Sequence, residues 1–206
     1  MNAAYIPIMQ RARPYDRNLA LDAAMTLFWR KGYHATSLKD LEQALHMKPG
    51  SIYAAFQSKE ALYLAALERY FGLTQASLES FIAKAASPLS ALADFLRSFG
   101  RPDPGQAAYA CMIVKSMLDT SEQDSMIARA AHDYLDRMNT EITGIFREAQ
   151  RLGELSASAD PDHLARRYML NVTALRIEAQ RVGLTDELAA LADEMADEIE
   201  ALRQTA

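Results

Sequence analysis

Apolar residues recur along this chain at the three- and four-residue spacing of helices, and no segment sustains the alternation of a strand. Gly and Pro fall where helices would begin or end. The pattern predicts an all-α protein of about nine helices. The first runs from about Asp16 to Lys31, with Leu19, Ala20, Ala23, Ala24, Leu27 and Phe28 on its inner side and Gly32 as a left-handed stop. Ser37 followed by Asp40 has the spacing of a capping box, in which hydroxyl and carboxylate each satisfy an unpaired backbone donor, and it opens a short helix to about Leu45. His46 and Met47 make a tight turn. Pro49 then stands at the first position of a second short helix, where its missing N–H costs nothing, and that helix ends near Phe56. Ser58 caps a longer helix reaching about Ala83, with Ala61, Leu62, Leu64, Ala65 and Leu67 turned inward.

Further on, Pro88 opens a helix ending near Gly100, and a Pro/Gly loop covers 101–106. Ala107 to Leu118 is strongly apolar. A second capping-box spacing, Ser121 with Asp124, opens a helix to Arg151 that stops at Gly153. Asp160-Pro161 starts a helix to Val182 with Gly183 as its stop, and Thr185 starts the last, to about Arg203. No internal repeat is present. The pattern divides the chain into a segment 1–15, a three-helix unit 16–58 and a helical body 59–206.

Two short helices joined by a turn of about three residues have helix-turn-helix geometry, although neighbouring short helices of any all-helical protein can match that spacing. A helix that enters a major groove about 12 Å wide needs a small, hydrogen-bonding face near its N-terminus. Lys48, Gly50, Ser51, Tyr53 and Ala54 supply such a face. Ile52, Ala55 and Phe56 would turn inward with Leu38, Leu41 and Ala44.

Composition changes this picture little, since half the 206 residues are hydrophobic and 24% charged, as in an ordinary folded chain. Charge changes it more. The net charge of -5 is uneven: residues 1–60 hold eight Lys/Arg and five Asp/Glu, a net +3, so the remainder carries -8. A basic end on an acidic body suits contact with phosphate, and equally an ordinary solvated surface. The single cysteine, Cys111, excludes an intramolecular disulfide and points to a reducing compartment. The first ten residues lack the features of a signal peptide, and no run is long and apolar enough to span a bilayer. A cytoplasmic protein without a membrane partner is expected. The four histidines show no metal-binding spacing, the cysteine has no base paired to it by motif, and no Gly-rich phosphate loop occurs. No catalytic residue, metal or cofactor is expected.

The run from residue 20 to 70 resembles the N-terminal DNA-binding segment of TetR-family transcriptional regulators, through Gly32-Tyr33, Thr36-Ser37, Ser51-Ile52-Tyr53, Phe56 and Ser58-Lys59-Glu60-Ala61-Leu62. The resemblance covers about fifty positions without a gap and implies a basic, flexible segment 1–15, a helix-turn-helix DNA-binding domain 16–58 and a helical effector-binding and dimerisation domain 59–206. It implies phosphate contacts at Thr36, Ser37, Tyr53 and Lys59, and places Lys48, Pro49, Gly50, Ser51 and Ala54 toward base edges. Tyr53 also suits a core aromatic and Lys59 a solvated charge. Arg11, Arg13 and Arg17 resemble the family's basic lead-in, which reaches a neighbouring groove or phosphate, and also suit a solvated tail. Many members carry Gly where this chain has His46. A left-handed residue there would cost energy.

The family further implies a homodimer on a palindromic operator in double-stranded DNA, released by an unknown small-molecule effector or reactive compound. Leu164, Tyr168, Leu175, Leu188, Leu191, Met195, Ile199 and Leu202 on the last two helices are the candidate dimer surface. Phe95, Phe99, Tyr109, Met112, Ile113, Met117, Tyr134, Met138, Phe146 and Tyr168 are candidate pocket residues, each of which also suits simple core. Ten methionines fit an adaptable interior. The stretch around Cys111 is similar to a branch whose cysteine responds to electrophiles or oxidants, with Lys115 one turn along to favour thiolate; an inert buried thiol is the alternative. The competing reading of the whole is an all-helical protein-interaction module without DNA binding.

Overall fold

The computed structural model describes residues 16–101, 110–119 and 126–204. Among these lie nine helices: α1 (Arg17–Lys31), α2 (Leu38–Leu45), α3 (Pro49–Phe56), α4 (Lys59–Lys84), α5 (Pro88–Gly100), α6 (Met112–Asp119), α7 (Met126–Arg151), α8 (Pro161–Val182) and α9 (Asp186–Glu200). Most boundaries follow from local chemistry. The Asp16, Ser37, Ser58, Asp160 and Thr185 side chains each accept a hydrogen bond from first-turn N–H groups, and Gly32 and Gly183 end α1 and α8 at positive φ.

Tertiary contacts set two boundaries. Within the apolar stretch 107–118 the described helix begins at Met112, because Ala110 is held on both sides: its N–H donates to Gln180 Oε1 at 2.8 Å and its carbonyl accepts from Trp29 Nε1 at 2.7 Å. The last helix stops at Glu200 rather than 203. There Gln204 N–H donates to the Glu154 carbonyl at 2.8 Å and Arg203 binds the Glu154 carboxylate at 2.6 Å, pinning the chain to the α7–α8 loop. Ser121 and Asp124 lie outside the described residues.

One apolar core runs through the molecule. At the α1 end Phe28 and Tyr33 pack edge-on against Tyr63 of α4, with ring centroids 4.8 and 5.1 Å apart. Leu62, Tyr63, Ala66 and Leu67 of α4 are buried here, so the first half of α4 completes the packing of the three short N-terminal helices. Leu19, expected to face inward, is exposed; Ala20, Ala24, Met25 and Phe28 form the buried stripe instead. In the body, α5 is central, with Leu89, Leu92, Ala93 and Leu96 fully buried. It meets α9 at very short range. A Cβ on Gly100 would lie 2.8 Å from Ala192 Cβ and 2.9 Å from Ala189 Cα, so these small residues are what allow the two helices to touch.

Candidate nucleic-acid interface

The α2–turn–α3 unit is assembled from local contacts outward. Ser37 Oγ accepts from the Asp40 N–H at 3.2 Å, and the Asp40 carboxylate accepts from the Ser37 N–H at 2.8 Å and from its hydroxyl at 2.7 Å. Lys31 closes the same carboxylate at 2.7 Å and ties the end of α1 to the start of α2. That hydrogen bond, with those from Ser37, holds the Asp40 carboxyl well below the ordinary carboxylate range.

His46 ends α2 in the left-handed conformation, φ 53° and ψ 37°. Its side chain is exposed, so its removal sacrifices no packing. The conformation costs an L-residue about 1–2 kcal/mol, partly offset in a His46→Gly variant by the larger entropy glycine loses on folding. His46→Gly is therefore expected to raise stability by about 0.5–1 kcal/mol in urea unfolding. A loss of stability would mean that the imidazole itself supports the turn. Gln57, just after α3, also has positive φ (68°), which nothing in the residue pattern signalled.

Leu41, Leu45, Met47, Ile52 and Phe56 are buried between α2, α3 and their supports, which fixes the angle between the two helices. The opposite face of α3 carries Lys48, Gly50, Ser51, Tyr53 and Ala54, all exposed, with Pro49 partly so. Tyr53 is 43% exposed and stands outside the core. A Cβ on Gly50 would meet nothing within 4 Å. This face is smooth, small at its centre, and flanked by an amine and two hydroxyl-bearing side chains.

The residues expected at phosphates divide. Ser37 is exposed, but its hydroxyl proton is engaged by Asp40, so a phosphate must compete with the cap. Thr36 corrects the expectation. Its side chain is 1% exposed and its hydroxyl donates to the Gly32 carbonyl at 2.7 Å, so it anchors the α1–α2 connector and presents no hydroxyl outward. Lys59 lies at the start of α4 with its ammonium 4.5 Å from the Tyr33 ring centroid, and burial lowers its pKa. Arg17 stacks 5.2 Å over the Phe56 ring, and Arg11 and Arg13 lie outside the described residues.

The interface is joined to the body through α6. Lys115 Nζ donates to the Trp29 carbonyl at 2.7 Å and reaches the Arg30 carbonyl at 3.5 Å, so it caps the end of α1 instead of approaching Cys111. Carbonyls at a helix C-terminus carry partial negative charge and attract an ammonium. Arg176 of α8 donates to the Tyr70 hydroxyl and stacks over Phe99 at 5.4 Å, and Tyr70 in turn contacts the Cys111 thiol. Burial, then the neighbouring thiol, pushes the Tyr70 phenol well above its ordinary pKa. The Arg176–Tyr70–Cys111 grouping joins α8, α4 and the residue before α6 and was invisible to sequence spacing.

Those of the expected pocket residues that lie among the described ones sit in or against the core. Phe95, Met112, Ile113, Met138, Phe146 and Tyr168 are buried in the closed core, and Phe99, Met117 and Tyr134 pack partly buried against it. Tyr168 even spends its hydroxyl on the Leu92 carbonyl at 2.8 Å. Tyr109 lies outside the described residues. A cavity of about 590 Å³ opens elsewhere, between the C-terminal half of α4, the α4–α5 loop and α7, and includes none of the ten. The dimer expectation also needs correction. Tyr168, Leu175, Leu188 and Ile199 are buried within the single chain, while Leu164, Met195 and Leu202 are largely covered by it. Of the eight only Leu191 is exposed, joined by Leu170, Ala174 and Ile177, which share one face of α8.

Residues 20–66 match the family model described as bacterial regulatory proteins, tetR family. The chain is 31% identical over 186 residues to the HTH-type transcriptional repressor ComR of Escherichia coli, covering 88% of this chain and 89% of ComR. Its structure is similar to that of a cysteine mutant of the TetR family transcriptional regulator CifR complexed with 26-base-pair operator DNA, with a TM-score of 0.73, 30% identity, and coverage of 91% of this chain and 98% of that one. The fold is also that of a TetR family regulator from Cytophaga hutchinsonii, at a TM-score of 0.81 and 18% identity over 92% of this chain and 96% of that one.

Proposed function

The chain belongs to the TetR family of bacterial regulatory proteins, and from that premise we propose that it acts as a homodimeric repressor which grips a palindromic operator through α3 and lets go when an effector reaches its body. It is a DNA-binding transcriptional regulator. The observation that carries the reading is the exposed Lys48–Ala54 face, held rigid by the buried Leu41, Leu45, Ile52 and Phe56 beneath it. Lys48, Gly50, Ser51 and Ala54 address base edges, with Pro49 setting the helix start; Tyr53, Lys59 and Ser37 address phosphate. Thr36 supports them from below.

One such helix reads too few base pairs to select a genomic site, so two copies must act together. Leu170, Ala174 and Ile177 of α8 with Leu191 of α9 form the partner-facing surface, because an apolar stripe left in water on two packed helices gains most by pairing with its own copy. A cytoplasmic setting follows from the target. No helix among the described residues is long and apolar enough to cross a membrane.

Gel-shift titration against the DNA upstream of the chain's own gene tests the reading. Two chains should bind per site, with affinity falling about 1,000-fold between about 50 and 200 mM salt if some six phosphates are neutralised. Binding without sequence preference, or none, would instead favour a protein-interaction module.

One observation supports a reactive trigger at Cys111. The thiol is free and only partly buried immediately before α6, against Tyr70, whose hydroxyl Arg176 holds, and Ala110 next to it bonds Trp29 of α1. A quinone would add through its ring carbon to the sulfur, with the thiol proton passing to the quinone oxygen, and the bulk attached would part α6 from α1. Benzoquinone treatment is expected to release operator from the wild type and to leave Cys111→Ser bound. Equal release by both proteins would exclude the cysteine.

A further inference from the structure

About 30 Å along α4 from the reader, the cavity between α4 and α7 combines two features that no DNA-binding role uses. Its walls are largely apolar, with Leu78 and Ile82 from α4, Pro88 from the start of α5 and Ile145 from α7. Three carboxylates stand among them, Glu79, Glu141 and Glu148, and no Lys, Arg or His lines the space. Glu148 pairs with Arg151 at 2.6 Å and Glu141 accepts from Gln75, while Glu79 has no ion pair among the described residues. At Gly144 the α7 wall has no side chain, and a Cβ there would meet nothing within 4 Å. The volume, about 590 Å³, is that of a site for a small organic molecule.

The two features select one ligand chemistry. Glu79 and Glu141, which have no ion pair among the described residues, attract positive charge and repel anions. Apolar walls offer nothing to a strongly hydrated metal ion or ammonium, whose water they would strip without replacement, but they reward a cation whose charge is spread over apolar groups. We propose that this cavity binds a lipophilic organic cation, and that such a cation is an effector of the regulator. The regulatory half rests on the DNA-binding reading. Leu78, Glu79 and Ile82 sit on the same continuous helix whose first half, with Leu62, Tyr63 and Ala66, packs against the reader, so a ligand wedged against α7 displaces the lever that carries α1 to α3.

Calorimetric titration of the full chain with tetraphenylphosphonium, and with tetraphenylborate as its anion of the same shape, tests the site directly. The phosphonium should bind once per chain, at least about tenfold more tightly than the borate, a difference of about 1.4 kcal/mol. It should weaken at least about tenfold in a Glu79→Gln/Glu141→Gln double variant, and by as much in Gly144→Leu, which keeps every carboxylate and grows into open space. Failure of the phosphonium to bind, equal binding of the borate, or undiminished binding by both variants would overturn the assignment. This titration contains no DNA, so a chain that failed on its operator would leave the cavity result standing. A separate anisotropy titration should show the phosphonium releasing operator from wild type and not from Gly144→Leu; release from both at equal concentration would overturn the effector role.

Discussion

Replacing Gly50 with Glu should reduce operator affinity by about 100-fold or more while the melting temperature does not fall. Gly50 occupies the second position of α3, its backbone has no positive φ, and its missing Cβ faces open space. Glutamate has a higher helix propensity than glycine, and a carboxylate in the first turn interacts favourably with the helix dipole. The fold therefore has no reason to suffer. In the groove the same carboxylate meets base edges and phosphates, loses its water and finds no cation to replace it. A penalty of about 1.4 kcal/mol in each protomer is a factor of ten apiece, hence about 100 for the dimer. Fluorescence anisotropy on operator DNA, beside a circular-dichroism melt, measures both halves of this expectation. Unchanged affinity would remove the Lys48–Ala54 face from the groove.

The second large effect concerns stability. Phe146→Ala should destabilise the protein by about 3–5 kcal/mol, seen as a lower urea midpoint at fixed chain concentration. Phe146 is fully buried, and its ring centroid lies 6.3 Å from that of Tyr168 in an edge-on pair. Truncation deletes those contacts and leaves a void in a core whose side chains, Leu92, Leu96 and Ile142 among them, are fully buried and close-packed, so the core cannot collapse to fill it. This result separates two roles that residue type alone left open. A phenylalanine lining an accessible pocket would lose far less, since its truncation enlarges a space already present. A change below about 1 kcal/mol would reinstate Phe146 as a pocket residue.

The residues that reason best from sequence are those whose partners lie within a turn of helix. Ser37 with Asp40, Pro49 at the head of α3, and Gly32 and Gly183 as stops all stand as their spacing predicts, because a cap answers unpaired backbone groups three or four positions away. The inward set of the reader, Leu41, Ile52 and Phe56, follows from the same periodicity. Thr36 shows the limit of resemblance. Its place in the motif is right, yet the connector turns its hydroxyl inward to Gly32.

In the body, periodicity names apolar positions without saying which neighbour covers them. On α8 and α9 the expected dimer residues Tyr168, Leu175, Leu188 and Ile199 are taken by the chain's own core, with α9 drawn close to α5 through Gly100, Ala189 and Ala192. That leaves Leu170, Ile177 and Leu191 outside. Lys115 meets the end of α1, Arg176 meets Tyr70, and Glu79 faces Glu141 and Glu148 across an apolar cavity. The sequence alone thus determined the helices, their caps and the reader, because helical hydrogen bonds and side-chain periodicity are settled over a few residues. Tertiary structure alone decided the free face of α8, the setting of Cys111 and the cavity. Those depend on pairings such as Trp29 with Ala110, 81 residues apart, and Tyr70 with Arg176, 106 apart, which arise only when whole helices pack and which no local repeat encodes.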